Sequence, residues 1–218
     1  MVWQTLEEKL STPRMSRYLK STDGKHARAV EAYVHNMKVA EALVSIFHVL
    51  EVALRNGIQR EMALAYCRAD WYEEWHTAED IGLRTLYSNV NEARKGLRNR
   101  RVEITPDSIV AELSFGFWTS LFNRTNIMNL SKPLMRVFHH CPKNMRKPDN
   151  IRARLNKGRE LRNRCFHHEP LLWQPLFEIH RDLLEIIRWI DPVLHAWITV
   201  HDRVPATLTE WLKWRNAP

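Results

Sequence analysis

The sequence is short of glycine, cysteine and long apolar runs. Six glycines in 218 residues leave few places where the backbone can turn through positive φ, which disfavours a fold of tight β-hairpins. The three cysteines, Cys67, Cys141 and Cys165, are odd in number and widely spaced, so no disulfide framework is implied. No run of 18 apolar residues occurs, and no membrane-spanning helix is expected. The first twenty residues include Glu7, Glu8, Lys9, Arg14, Arg17 and Lys20, leaving no apolar core for a signal peptide. The expectation is a cytoplasmic protein with no membrane partner. Strand-like alternation, internal repeats and low-complexity segments are also missing.

What is present is a globular composition, 44% hydrophobic and 27% charged, which is enough to build a core. The charge is basic: 33 Lys and Arg against 25 Asp and Glu give +8, and 23 of the cations are Arg. Arg grips phosphate bidentately, so a nucleic-acid partner is one reading of this balance and an ordinary basic protein the other.

Apolar residues recur at helical steps almost throughout. Thr12-Pro13 opens a helix to Lys20, with proline at its first position. From Lys25 to Cys67 an apolar pattern runs without proline. A single helix of that length is unusual, so two helices are expected, broken near His35-Asn36 or Ser45. Thr77 to Asn99 reads as helix, and Thr105-Pro106-Asp107 is a strong helix start. The stretch Ile109 to Trp118 is apolar on nearly all sides and should be buried. Asn129 to His139, Asp149 to His168, Gln174 to Ile190, Asp191 to Val200 and Leu208 to Trp214 complete the pattern. The expected fold is one all-α domain over residues 1–218, a helical bundle.

The cations cluster. Between Lys143 and Arg164 there are nine, opposed only by Asp149 and Glu160. Arg152, Arg154, Lys157, Arg159 and Arg164 are therefore candidate contacts for RNA phosphates. The run leads into Arg162-Asn163-Arg164-Cys165-Phe166-His167-His168-Glu169-Pro170. Five helical steps from Arg162 to His167 give about 7.5 Å of rise and roughly 140° of rotation, an offset that a flexible arginine spans. Asn163 and His167, at i and i+4, lie on the same face. Pro170 disfavours helix at Glu169 and places the histidines in the last turn. An imidazole that exchanges its proton near neutral pH suits acid–base chemistry, although such a histidine often only caps its helix. Glu51 and Arg55 have the spacing of a helix salt bridge. His139-His140-Cys141 and Cys165-x-His167-His168 offer zinc-type ligands but match no zinc spacing, and no metal or other cofactor is expected.

The Arg162-to-His168 segment resembles the Arg-x(4–6)-His signature of the HEPN superfamily of α-helical ribonucleases. Arg162-Asn163-x3-His167 followed by His168-Glu169-Pro170 resembles its Abi-like branch, the abortive-infection proteins of AbiD/AbiF type. Two further stretches are similar to that branch: Glu51-x3-Arg55-Asn56, and Val110-Ala111-Glu112-Leu113-Ser114-Phe115-Gly116-Phe117-Trp118. The resemblance spans about Ser11 to His195. It implies a metal-independent endoribonuclease acting as a toxin or phage-defence effector, with an antitoxin or partner RNA as its control. It also implies a homodimer whose paired site uses the Arg and His of both protomers. By position these are Arg162 and His167, with Asn163, His168, Glu51 and Arg55 in support. His168 fits the looser spacing and stays open as the working imidazole. The alternative is a non-catalytic protein of the same fold that holds a structured RNA.

Overall fold

The computed structural model describes residues 2–217; Met1 and Pro218, the ends of the expected domain, lie outside the described residues. Among these, every regular element is a helix. α1 (Val2–Leu10) and α2 (Thr12–Lys20) lead into a very long α3 (His26–Tyr66). A short 3-10 helix (Trp71–Trp75) follows, then α4 (Ile81–Asn99), α5 (Pro106–Glu112), α6 (Phe115–Ser120) and α7 (Arg124–Arg136). α8 (Pro148–Phe166), α9 (Leu176–Ile190), α10 (Pro192–Val200) and α11 (Val204–Asn216) complete the chain.

The helix starts follow local chemistry. Thr105 caps α5 by accepting from Ser108 N while the Ser108 hydroxyl accepts from Thr105 N, a reciprocal capping box. Asp80 and Asp191 cap α4 and α10 through their carboxylates. The apolar stretch from Ile109 to Trp118 is mostly buried, as its composition predicts, but it is two helices. Ser114 breaks it by capping α6 with its hydroxyl on Phe117 N, and Trp118 Nε1 donates back to Leu113 O. The aromatic segment at Trp71 is a 3-10 turn whose Trp71, Tyr72 and Trp75 are buried.

The expected break in the long apolar pattern does not occur: α3 runs unbroken for 41 residues. It is the central element, packed against α2, α6, α7, α8, α9 and α11. Burial on several sides replaces the local signals that usually limit helix length. Gly57 lets α3 approach the chain just after α7 so closely that a Cβ there would sit 2.9 Å from Val137. Asn36, which reads in sequence as a point of weakness, stays helical and is buried. Its side chain serves a distant segment, described below.

Candidate functional site

α8 presents its apolar side (Ile151, Leu155, Gly158, Leu161 and Cys165) to the core. Gly158 is needed there because a Cβ would come within 2.7 Å of Leu183 in α9. Cys165 donates to Ala40 O of α3 at 3.4 Å, and burial pushes its thiol up to about 11. These contacts fix the end of α8 against the middle of α3.

Arg162 emerges at that contact. Its Nη2 lies 3.5 Å from Glu51 Oε2 of α3, and the two side chains are about one-third exposed. The Phe166 ring packs one turn further along, with the Arg162 Cζ 4.5 Å from the ring centre. Arg162 Nε is buried without a hydrogen-bond partner among the described residues. The guanidinium is thus held on two sides. Glu51 does not pair with Arg55, as the i,i+4 spacing suggests; it reaches Arg162 instead. Arg55 donates to Ala111 O at 3.4 Å and to its neighbour Asn56. Arg55 and Asn56 line a cleft of about 390 Å³ with Val110 and Ala111 of α5, so the two outlying motifs meet in space. Glu112, in the second motif, ties α5 to Arg100 at the end of α4.

The helix ends in a Schellman turn. Glu169 N donates to Arg164 O at 2.8 Å and His168 N to Cys165 O at 3.1 Å. His168 therefore occupies the left-handed position that glycine usually takes, with φ 56°. His167 is the C-cap residue, its N–H on Asn163 O at 2.8 Å. Asn163, His167 and His168 are all exposed. The turn is pinned from behind by Asn36: its Oδ1 accepts from Leu171 N at 2.6 Å and its Nδ2 donates to Glu169 O at 3.4 Å. Arg14 of α2 donates to His168 O. Asn36, Arg14 and Phe166 are site-forming residues that spacing alone does not identify.

The basic run does not form one open face. Arg154 and Lys157 turn toward α9. Arg154 lies 3.4 Å from Glu185 and 3.8 Å from Asp182, and packs over the Trp189 ring. Lys157 lies 2.5 Å from Glu178 and 3.8 Å from Asp182. That pairing raises the Lys157 ammonium above its ordinary value and lowers Glu178 below its own. Arg164 pairs with Glu169 at 3.0 Å. Arg152 pairs with Asp149 at 2.7 Å and leaves its Nη1 buried without a partner among the described residues. Of the five candidate phosphate contacts, Arg159 alone has no hydrogen bond or ion pair among the described residues.

Among the described residues no three His, Cys, Asp or Glu side chains converge as metal ligands; His139 and His140 pack on each other, ring centres 4.1 Å apart. No helix is long and apolar enough to cross a membrane. Compared with known protein families, curated proteins and solved structures, the chain shows no significant match.

Proposed function

We propose that the chain is a metal-independent endoribonuclease of the HEPN, Abi-like type, with Arg162 and His167 as its catalytic residues. The observation that carries this reading is the placement of Arg162. Its guanidinium is held by Glu51 and Phe166 at the end of a helix whose last turn exposes two imidazoles.

The chemistry is the intramolecular one that RNA allows. The 2′-OH is already beside the scissile phosphate, so positioning supplies much of the rate. His167 takes or returns the proton, and the planar guanidinium of Arg162 stabilises charge on the phosphate oxygens. The O2′–P bond forms as the P–O5′ bond breaks, leaving a 2′,3′-cyclic phosphate and a 5′-OH. The reaction asks for no metal because the substrate brings its own nucleophile.

The working form in this proposal is a homodimer. Met37 and Val44 lie on the same side of α3 as Glu51, at steps of seven, and are about half exposed, as is Phe166. This exposed apolar side of α3, which leads to Glu51, and Phe166 beside Arg162 suit an isologous interface that brings two Arg–His pairs together. The setting that goes with the resemblance is a toxin or phage-defence effector in the cytoplasm, restrained by an antitoxin or a partner RNA. A second reading, a non-catalytic protein that holds structured RNA, is favoured by one observation: Glu51 already neutralises part of the Arg162 charge.

The test is to incubate wild type, Arg162→Ala and His167→Ala with total RNA in EDTA. Cleavage by wild type alone supports the nuclease. A retarded RNA band with no cleavage by any of the three supports the second reading.

A further inference from the structure

A cavity of about 280 Å³ lies between the α2–α3 turn, the Leu172–Trp173 loop and α11. Its walls combine flat aromatic surface with cations. Trp211 and Trp214 stack, ring centres 5.2 Å apart and 23° from parallel. The Arg28 guanidinium lies over the Trp214 ring, its Cζ 4.8 Å from the ring centre. Two bonds of 3.2 Å, to Trp214 O and Ala217 O, hold its edge. A guanidinium plane fixed in this way is a stacking surface for a base. Lys25 and Arg215 also line the cavity. Both are exposed and have no carboxylate partner among the described residues. Among the described residues of the lining Asp23 is the one acid, against Lys25 and Arg215, a balance that favours an anion.

Planar stacking beside Lys25 and Arg215, cations with no carboxylate partner among the described residues, is the chemistry of a base with its phosphate. We infer that this cavity is a nucleotide-binding site, with the base layered on Arg28 and the phosphate on Lys25 and Arg215.

The cavity is joined to the histidine turn through α2. Arg17 lies over the Trp173 ring at 4.9 Å. Arg14, one turn earlier, donates to His168 O. The nucleotide has two possible sources, a free mononucleotide or one unit of an RNA strand whose neighbouring units run toward His167. Only the second source rests on the ribonuclease reading.

The experiment is fluorine NMR of the full chain labelled with 5-fluorotryptophan, with Trp173 and Trp214 assigned through their Phe variants. The probes are 5′-AMP, 5′-UMP, inorganic phosphate and a 2′-O-methyl octaribonucleotide, which binds without being cleaved. The Trp173 and Trp214 resonances should move with nucleotide and not with phosphate alone. Lys25→Gln and Arg215→Gln, both at exposed positions, should each weaken binding about tenfold, the loss of one charge-assisted hydrogen bond. Octamer binding at least tenfold tighter than mononucleotide assigns the site to a strand; equal or weaker binding assigns it to a free nucleotide. Resonances that ignore nucleotide and octamer overturn the site, as does an equal response to phosphate alone or unchanged affinity in both variants. Cleavage plays no part in the readout, so failure here is distinct from failure of the nuclease proposal.

Discussion

Glu51 of α3 and Arg162 of α8 meet across the core-facing side of the site, carboxylate oxygen to guanidinium nitrogen at 3.5 Å. Both are partly open to solvent, so this contact contributes less than about 1 kcal/mol to folding. Its consequence is orientation of the guanidinium. Glu51→Gln keeps the shape and removes the charge. The melting temperature should hardly change, while single-turnover RNA cleavage should slow about tenfold with substrate affinity nearly constant, as expected for loss of positioning. An unchanged rate would remove Glu51 from the site.

His168 sits where a Schellman turn prefers glycine, at φ 56°. His168→Gly should relieve strain of roughly 1 kcal/mol and raise the melting temperature by roughly 2–4 °C. Cleavage by this variant should fall only in part, whereas His167→Ala should abolish it. The reverse ranking would make His168 the working imidazole.

The basic run separates into two groups that salt dependence can resolve. Lys157→Gln should leave RNA affinity and its salt slope unchanged, since Lys157 already faces Glu178 and Asp182. Arg159→Gln should reduce the slope of log K against log salt by about 0.7, the loss of one contact to single-stranded RNA phosphate. Equal slopes in the two variants would mean that Arg159 touches no phosphate.

Cys165 provides a pH signature of the α3–α8 contact. Burial raises its thiol from 9.0 to about 11, so the fold favours the neutral form. The stabilisation is complete below pH 9.0 and lost as pH rises toward about 11. Burial of Tyr18 acts in the same direction. Stability should therefore decline across that window in urea titrations, and a maleimide at pH 8 should label exposed Cys67 while sparing Cys165. Rapid labelling of Cys165 in the native state would show the contact to be open.

The helix starts were legible wherever one residue and its near neighbours make the cap, as at Thr105-Pro106 and Asp191-Pro192. The end of α8 was legible from Pro170. The continuity of α3 was not, because what stabilises Asn36 inside a helix is its pair of hydrogen bonds to Glu169 and Leu171, which no local pattern reveals. The charge of α8 misled for the same reason. Counted along the chain it is strongly positive, but the carboxylates of Glu178, Asp182 and Glu185 in α9 balance Arg154 and Lys157 in space. Arg162 and the two histidines were legible as a motif. Their setting against Glu51 and Phe166 emerged only when the helices were packed.

The central claim is that RNA cleaves itself under the hands of Arg162 and His167. It is tested most directly with a short RNA of known cleavage site, incubated with wild-type protein in EDTA beside the same RNA carrying a single 2′-deoxy nucleotide at that site. Product ends are read by mass spectrometry. The account predicts a 2′,3′-cyclic phosphate (or the 3′-phosphate from its hydrolysis) and a 5′-OH from the first RNA, and no cut at the substituted site in the second. Cleavage of the deoxy-substituted bond, or activity that appears only when divalent metal is added, would contradict it.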